Sequence, residues 1–173
     1  REIYATIADQ DAGFEAQVDD LLRIGMDVLG VAYGTLSRVD GEDYVFEVVR
    51  APEGTIEAGD VVDTEATNCE RVVTTEERLA VADIEHDAPE LTERTGFTEL
   101  GISCYLGAPV LVDGEPYGTF CFYDTEPRSE RFDDWEVTLV DLMSRWVSTA
   151  LERNVTQAEL REQNERLEQF ASM

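Results

Sequence analysis

Two apolar segments, residues 103–112 and 116–123, flank the dipeptide Asp113-Gly114. Asp-Gly between two such segments is the strongest short-range signal for a β-hairpin with a two-residue turn. Apolar or aromatic side chains occupy both alternating sets of positions, so both faces of the ribbon need to be covered. We therefore expect residues 103–123 to form a hairpin in the middle of a β-sheet that is covered on both sides.

The two-residue turn also predicts which residues of this hairpin face each other. It pairs Cys104 with Tyr123, Leu106 with Cys121, and Ala108 with Thr119. Cys104 and Cys121 then share one face, two residue pairs apart, which is too distant for a natural disulfide. We interpret both cysteines as packed core residues. A redox or metal-binding role is the alternative, although no accompanying ligand set is evident.

The segments before the hairpin alternate between helical and strand-like patterns. Apolar residues at helical spacing predict an amphipathic helix over residues 13–29, which Asp11 caps and Gly30 ends. The other expected elements are strands at 33–39 and 44–49 joined by a turn at 40–43, a short strand at 61–62, a short helix from Thr67 or Asn68 through Val73, a strand at 79–82, and a short helix around 90–94.

A long helical pattern follows the hairpin. Asp133 and Glu136 form a capping box at its start, with Asp in the place of Ser or Thr. No Pro or Gly follows, and about 37 residues would make a rod of about 55 Å, longer than a typical domain is wide. The first half is apolar enough to pack on a domain, whereas the second half is mostly charged.

The second half of this helix carries a thin apolar stripe of Leu160, Leu167 and Phe170. Such a stripe suits the seam of a parallel two-stranded coiled coil. If Leu160 and Leu167 occupy d positions, Asn164 falls at an a position, where Asn fixes the register of two-stranded coils. We expect residues 153–173 to begin a dimeric coiled-coil linker; a frayed, solvated helix end is the alternative.

The charge balance limits the partners. The chain has 39 acidic and 13 basic residues, a formal charge of -26, and no Lys. The acids are spread through segments with folded patterns, which predicts an acidic surface that repels phosphate backbones and anionic membranes. We therefore expect neither nucleic acid nor membrane as a partner. We interpret the composition as halophilic adaptation, because high salt screens self-repulsion; an acidic partner-binding face is the alternative.

Cysteine usage and hydropathy favour a cytoplasmic location. Cys69, Cys104 and Cys121 are odd in number and widely spaced, which argues against a disulfide framework and a structural zinc site. No apolar run approaches the roughly 18 residues of a membrane-spanning helix, and no signal-peptide pattern opens the sequence.

Three segments carry a resemblance to a known family. In chain order they are Leu79-Ala80-Val81-Ala82-Asp83-Ile84, Gly101-Ile102-Ser103-Cys104-Tyr105-Leu106-Gly107-Ala108-Pro109-Val110, and Asp113-Gly114-Glu115-Pro116-Tyr117-Gly118-Thr119-Phe120-Cys121-Phe122. Their strand, turn and glycine placement resembles the GAF domain over about residues 12–152. The resemblance implies an α+β fold with a central antiparallel sheet of five to six strands. The first and last helices would cover one face, a small-molecule pocket the other, and a long C-terminal signalling helix would follow.

The end of the sequence carries a shorter resemblance. Residues 167–173, Leu-Glu-Gln-Phe-Ala-Ser-Met, are similar to the run just before the phospho-accepting histidine of sensor histidine kinases. The two resemblances imply a dimeric sensor domain of a haloarchaeal two-component protein, with a kinase domain downstream in the same chain. The fragment itself is then a signal-transduction module and not an enzyme.

The GAF resemblance also implies a ligand site. We place it on one face of the central hairpin and on a lid-like segment, with these candidates: Asn68, Cys69, Asp83, Cys104, Leu106, Cys121 and Tyr123. The sequence leaves open which hairpin face lines the pocket. Family members bind cyclic nucleotides, linear tetrapyrroles, haem or other small ligands, so the fold alone implies no particular ligand.

Particular residues argue against several of these ligands. Covalent bilin attachment commonly uses a Cys followed by His, whereas Cys69 is followed by Glu70. The cyclic-nucleotide signature Asn-Lys-Phe-Asp-Glu cannot be intact in a chain without Lys. His86 stands among acidic residues, which indicates a solvated acidic loop in preference to a metal or haem site. We therefore expect no covalent cofactor, haem, bilin or metal, and the ligand stays unknown.

Two other functions compete with small-molecule or redox sensing. One is a ligand-free dimerisation spacer, which would show no ligand-induced change in melting temperature. The other is a redox enzyme of the methionine-sulfoxide reductase type, which needs reactive cysteines in a shared pocket. No Ser/His/Asp arrangement or phosphate-binding Gly loop points to other catalysis.

Overall fold

The computed structural model describes residues 12–64, 72, 76–93 and 101–171. The elements in chain order are α1 (Ala12–Leu29), β1 (Tyr33–Asp40), β2 (Asp43–Arg50), β3 (Val61–Asp63), β4 (Leu79–Val81), α2 (Ile84–Asp87), a 3-10 helix (Pro89–Glu93), β5 (Cys104–Val112), β6 (Glu115–Asp124) and α3 (Asp134–Ala171). The elements that the sequence predicts in this part of the chain are present, with ends shifted by about one residue. The helix expected from Thr67 or Asn68 through Val73 lies outside the described residues, apart from Val72.

The six strands form one antiparallel sheet in the order β3-β2-β1-β6-β5-β4. The hairpin of β5 and β6 lies in its middle, because β6 also pairs with β1 and β5 also pairs with β4. The predicted α+β fold with a central antiparallel sheet is therefore confirmed, and the sheet has six strands.

The register within the central hairpin differs from the prediction. The two-residue turn is present, since Val112 faces Glu115 and Leu111 faces Pro116. The ladder then shifts by one residue, so that Val110 faces Gly118 and Tyr117 is the extra residue of a β-bulge. The observed pairs beyond the bulge are Cys104 with Asp124, Leu106 with Phe122, Gly107 with Cys121, and Ala108 with Phe120. The predicted pairs of Cys104 with Tyr123, Leu106 with Cys121 and Ala108 with Thr119 are therefore wrong.

The bulge separates residues that the sequence placed on one face. Cys104 and Leu106 pack in the cluster beneath the terminal helices, whereas Cys121 and Tyr123 pack on the opposite face. The reason is the one-residue shift, because neighbouring positions along a strand point to opposite faces. The prediction that these four residues share one face is wrong.

One face of the sheet packs against α1 and α3. Helix α1 contributes a buried row at helical spacing, which consists of Phe14, Val18, Leu22 and Leu29. Gly30 ends α1 with a φ of +70, and its N–H donates to the Met26 carbonyl at 2.8 Å. This is the left-handed C-terminal cap that glycine adopts without steric cost.

Helix α3 begins with the predicted capping box. The Glu136 N–H donates to Asp133 Oδ1 at 2.7 Å, and the Asp133 N–H donates to Glu136 Oε1 at 2.9 Å. Its 38 residues span about 57 Å. Its buried positions include Val140, Val147 and Leu151, and the described side chains beyond residue 158 are all exposed. Within the described residues, no helix combines the length and apolar character needed to cross a bilayer.

The opposite side of the sheet is called the far face below. Its buried apolar residues come from the strands and from the segments that cover them: Tyr44, Phe46, Val72, Val81, Ile84, Ala88, Leu91, Ile102, Tyr105, Cys121 and Tyr123. Ile84 of α2, Leu91 of the 3-10 helix and Ala88 between them form one wall of this cluster. The sheet is thus covered on both sides, as the sequence predicts.

Candidate functional site

A row of small polar side chains crosses the centre of the far face. Thr35 and Ser37 of β1 stand opposite Cys121 and Thr119 of β6. All four residues are fully buried. Central strand positions ordinarily carry apolar side chains, because a buried hydroxyl loses free energy unless it is hydrogen-bonded. This polar row is therefore unusual for a purely structural core.

Tyr44 of β2 joins the polar row into a network centred on a thiol. Tyr44 Oη lies 2.7 Å from Thr119 Oγ1, and Thr35 Oγ1 lies 3.1 Å from Cys121 Sγ. The Tyr44 and Thr119 oxygens each lie 4.0 Å from the same sulfur. Within the described residues, the Ser37 hydroxyl has no hydrogen-bond partner. An unpaired buried hydroxyl costs about 1–3 kcal/mol, so a group that pairs with Ser37 would gain that energy.

Three tyrosines stack beside the polar row. The ring centroids of Tyr33 and Tyr123 are 5.2 Å apart, and those of Tyr105 and Tyr123 are 6.2 Å apart, with interplanar angles of 18° and 12°. Gly107 permits this arrangement, because a Cβ at that position would collide with the Tyr105 ring. The stack extends over β1, β6 and β5, and its Tyr105 and Tyr123 members are buried.

The wall of the far face begins at Asp83, which caps α2. Asp83 accepts hydrogen bonds from the His86 N–H at 3.4 Å and from His86 Nδ1 at 2.8 Å. The hydrogen bond to Asp83, followed by the negative charge of Asp83, raises the pKa of His86 above its usual value. The His86 side chain is 75% exposed. In the described part of the chain, no group of three or more His, Cys, Asp and Glu residues is placed to hold a metal ion.

The candidate ligand residues of the sequence fall into different surroundings. Cys121 and Tyr123 lie on the far face, and Asp83 lies at the start of its α2 wall. Cys104 and Leu106 lie beneath the helices. Asn68 and Cys69 lie outside the described residues. Whether any of the seven binds a ligand stays a prediction.

The thiol of Cys104 is chemically quiet. Burial, followed by the charge of Asp124, raises the pKa of Cys104 to about 11. The thiolate is the reactive form of cysteine, so Cys104 is not primed for nucleophilic or redox chemistry at neutral pH. Cys104 and Cys121 also lie on opposite faces of the sheet and cannot act in a shared pocket.

Sequence reasoning missed most of the polar row and the tyrosine stack. The missed residues are Tyr33, Thr35, Ser37, Tyr44, Tyr105 and Thr119. A signal was available, because Leu36 separates Thr35 from Ser37 in β1, and Phe120 separates Thr119 from Cys121 in β6. Alternation places the small polar residues of each strand on one face of the sheet.

A groove with a volume of about 930 Å3 runs between β5 and α3. It is lined by residues such as Pro109, Leu111 and Ser148. An ion pair between Arg78 and Asp141, with a 2.8 Å separation, stands in its lining. The groove is open to solvent, has both polar and apolar residues in its lining, and lies away from the predicted pocket on the far face.

Helix α3 carries exposed apolar residues along its whole length. The predicted stalk residues Leu160, Leu167 and Phe170 are 55%, 67% and 78% exposed, and Asn164 is exposed as well. Large apolar residues of the first half, which is apolar enough to pack on the domain, are also exposed: Trp135, Leu142 and Trp146.

Comparison with solved structures shows the same fold in proteins of low identity. The blue-light-absorbing form of the PixJ GAF domain from Thermosynechococcus elongatus is 17% identical with a TM-score of 0.66, over 91% of this chain and 94% of that one. Part of a methyl-accepting chemotaxis protein is 17% identical with a TM-score of 0.67, over 88% of this chain and 96% of that one.

A third similar structure is an enzyme. Free methionine-R-sulfoxide reductase from Neisseria meningitidis, solved with its substrate, is 12% identical with a TM-score of 0.65, over 90% of this chain and 87% of that one. At such identities the likeness concerns the fold alone. No protein of curated function matches the chain. The family model described as GAF domain matches residues 14–151, most of the sequence, and the chain therefore belongs to the GAF domain family.

Proposed function

We propose that this chain is the sensor domain of a cytoplasmic signal-transduction protein. A small, uncharged ligand binds over the far face and changes the arrangement of a dimeric α3 stalk. The observation that carries the proposal is the buried polar row beside three stacked tyrosines, together with the Ser37 hydroxyl, which has no hydrogen-bond partner among the described residues. The chemotaxis protein and PixJ share the fold and support a sensory role.

The chemistry of the far face favours an uncharged ligand. In the described part of the chain, Glu136 of α3 is the one charged residue among those classed as buried, and it lies away from the far face. The polar row supplies hydroxyl and thiol groups, and the stacked tyrosines beside it supply aromatic rings. An anionic ligand would need a cationic partner in such a low-dielectric site. We therefore propose a planar molecule with a hydrogen-bond acceptor for Ser37.

Native mass spectrometry tests ligand binding. The protein is purified from its native host in high salt, and its mass and absorption spectrum are recorded before and after denaturation. We expect a non-covalent mass that denaturation releases and that raises the melting temperature when it is added back. A covalent mass or a haem or bilin absorption band would contradict the proposal. If no mass is released and no host extract raises the melting temperature, the ligand-free spacer is the correct function.

Two hydroxyl variants locate the ligand. Ser37→Ala removes the Ser37 hydroxyl from the far face. Ser148→Ala removes a hydroxyl from α3, where it donates to the Ser144 carbonyl and accepts from the Leu111 N–H. We expect Ser37→Ala to weaken binding of the released molecule by about fivefold or more, as the loss of one hydrogen bond would. Ser148→Ala should leave the affinity unchanged. Equal affinities of the two variants would place the ligand elsewhere.

The exposed apolar residues of α3 support a parallel dimer. The large exposed apolar residues fall on the two apolar positions of one heptad repeat: Trp135, Leu142 and Phe170 on one, and Trp146, Leu160 and Leu167 on the other. A stripe with this repeat matches a second helix of equal length, which a second copy of the chain supplies. In the register of the whole stripe, Leu160 and Leu167 take the a position of Trp146. Phe170 then takes the d position of Leu142.

This register differs from the one that the sequence predicts, and the difference can be measured. With Leu160 and Leu167 at a, Gln163 lies in the seam at d and Asn164 lies beside it at e. The sequence prediction puts Asn164 in the seam. Single cysteines at 163 or 164, in a chain whose native cysteines are replaced, report which residue meets its copy. We expect rapid disulfide cross-linking at 163 and slow cross-linking at 164, because only core positions bring two Cβ atoms close together.

Faster cross-linking at 164 than at 163 would support the register that the sequence predicts, with Asn164 at the a position. Absence of cross-links at both positions, together with a monomeric mass in sedimentation, would refute the dimer. The proposal of a dimeric stalk is therefore tested separately from ligand binding.

We further propose that the stalk leads to a histidine kinase domain in the same chain, in a halophilic host. The supporting observations are the resemblance of residues 167–173 to the segment before a phospho-accepting histidine and the charge of -26. The test is autophosphorylation of the full-length protein from ATP in high salt. A full-length protein without phosphotransfer activity would refute this output but not the sensor domain.

The reductase alternative is less well supported. The Neisseria enzyme shares the fold, but here Cys104 and Cys121 lie on opposite faces of the sheet. The test is turnover of free methionine sulfoxide by the protein and by a variant that lacks Cys69, Cys104 and Cys121. Turnover that is lost in the variant would favour the enzyme over the sensor.

A further inference from the structure

The connection between β6 and α3 contains a residue that touches both sides of the sheet. Arg128 donates its backbone N–H to the carbonyl of Ala82 at 2.8 Å. Ala82 directly precedes Asp83, the capping residue of α2. Helix α2 places Ile84 in the far-face cluster. The backbone of Arg128 is therefore bonded to the start of the far-face wall.

The side chain of Arg128 reaches the two terminal helices. Nη1 donates to the carbonyl of Leu29, the last residue of α1, at 2.8 Å. Nη2 donates to both carboxylate oxygens of Glu136, in the first turn of α3, at 3.0 and 3.2 Å. The guanidinium group also lies 4.2 Å from the centre of the Phe132 ring. Arg128 thus joins the far-face wall, the end of α1 and the start of α3.

These contacts are shielded from solvent. The side chains of Arg128 and Glu136 are 20% and 11% exposed. A shielded ion pair is sensitive to displacement, because loss of either partner leaves the other charge poorly solvated. The geometry of Arg128 relative to Glu136 is therefore energetically coupled to the position of α3.

The connection has space on both sides. An open pocket of about 330 Å3 borders Arg128 and includes Cys104 and Asp124 in its lining. A second open pocket, of about 300 Å3, lies between β4 and Phe132. Close-packed interiors resist small displacements, whereas a segment beside open pockets can shift without overlapping its neighbours. The ends of this connection are hydrogen-bonded while its surroundings leave room for movement.

We propose that Arg128 is the coupling residue between the far face and the stalk. When the α2 wall moves, the Ala82 carbonyl displaces the Arg128 backbone. The hydrogen bonds from the guanidinium group to Glu136 and to the Leu29 carbonyl then change in length and direction. This alters the position of α3 relative to α1. The inference rests on the proposed sensor function, because it describes how the state of the far face reaches the stalk.

A purely structural role would give a different result from coupling. Glu136 also belongs to the capping box of α3, so loss of Arg128 loosens the first turn of α3 in either case. Coupling additionally requires that a change made in the far-face wall reaches α3 through Arg128. A double-mutant cycle separates these effects.

The perturbation of the wall is Leu91→Ala, which removes a buried side chain of the 3-10 helix on the far face. Amide hydrogen exchange is followed at residues 84–88 of the wall and 137–140 of α3 in the 173-residue protein. With Arg128 present, we expect Leu91→Ala to accelerate exchange in both segments, by about threefold or more in α3. With Arg128→Met, the same change should accelerate exchange only in the wall.

Two further backgrounds control this comparison. Arg78→Met removes another ion pair to α3, that between Arg78 and Asp141, and should leave the response of α3 to Leu91→Ala intact. Arg128→Met combined with Glu136→Gln leaves no unpaired buried carboxylate. In this background, too, Leu91→Ala should not accelerate amide exchange in α3. If Leu91→Ala prevents folding, Ile84→Val supplies the perturbation.

The proposal is overturned if α3 responds equally with Arg128 and with Met at this position. It is also overturned if the wall responds and α3 does not respond in the otherwise unchanged protein. Because no ligand is needed, a failure of this cycle leaves the ligand-binding proposal standing. Conversely, coupling can be demonstrated even if no ligand is ever released.

Discussion

Cys104 and Cys121 lie on adjacent central strands in different chemical surroundings. Cys104 is buried beneath the helices near Asp124, whereas Cys121 lies among the hydroxyl groups of Thr35, Tyr44 and Thr119. The two cysteines of one hairpin thus differ in the polar groups that lie near their thiols. Of these two thiols, that of Cys121 lies among side-chain hydroxyl groups, so we expect a polar ligand of the far face to meet the Cys121 thiol.

The Asp124→Asn variant tests the surroundings of Cys104. Burial is the larger cause of the raised pKa and the charge of Asp124 the second, so the pKa should fall from about 11 but stay above the ordinary value of 9.0. The measurement is the pH dependence of the Cys104 13Cβ chemical shift, with Asp43→Asn as the control. An unchanged pKa in Asp124→Asn would refute the assigned role of that carboxylate.

The same shift predicts the direction of a stability change. The pKa of Cys104 is higher in the folded state than in the unfolded chain. The stability that this difference contributes is therefore fully present below pH 9.0 and is lost as the pH rises through about 11. Replacing Cys104 by Ala should remove that part of the alkaline loss of stability.

Gly118 and Gly107 are a matched pair for testing the sheet. A Cβ at Gly118 would collide with the Ser37 carbonyl group, whereas one at Gly107 would collide with the Tyr105 ring. Backbone cannot move aside as a side chain can. We expect Gly118→Ala to lower the free energy of unfolding by about 1–3 kcal/mol and Gly107→Ala to lower it less. Denaturant unfolding measures both, and a larger loss in Gly107→Ala would contradict the bulge geometry.

The central hairpin shows which element properties the sequence can predict. Its place, its turn and its coverage on both sides follow from Asp113-Gly114 and from the apolar segments around it. Its register does not follow, because the bulge at Tyr117 depends on the close approach of Gly118 to β1. Gly118 is a local hint of a bulge, but nothing near it in the sequence identifies Ser37 as the neighbour.

The candidate site is less predictable than the fold for a similar reason. Hydroxyl residues in β1 and β6 can be assigned to one face of each strand by alternation. Their network with Tyr44 depends on strand order and register, which are long-range properties. The proposed coupling contacts of Arg128 likewise join the segment before α2 to α1 and α3, and no local pattern marks them.

The start of α3 provides a test at the level of an element. Asp133→Ala removes the side-chain acceptor of the Glu136 N–H and should cost about 1 kcal/mol of stability. Asp134→Ala, one residue further on, removes an equal charge near the helix N-terminus without removing that acceptor. Thermal unfolding of the two variants measures the difference, and equal losses would contradict a capping role for Asp133.

At the scale of the whole molecule, the charge of -26 opposes both folding and self-association. Counter-ions screen such repulsion, with a Debye length of about 3 Å at 1 M salt. We expect the melting temperature and the dimer fraction to rise together as the salt concentration increases to about 1 M. Thermal scans and sedimentation at matched salt concentrations measure both. Melting that does not depend on salt would contradict the proposed halophilic adaptation.

The central claim is that the state of the far face sets the arrangement of the α3 stalk. The most direct test is the distance distribution between spin labels at residue 163 of the two copies, measured with and without the small-molecule fraction released from the native protein. The account predicts two distances whose populations change at ligand concentrations that also raise the melting temperature. A distribution that stays the same while the melting temperature rises would contradict it.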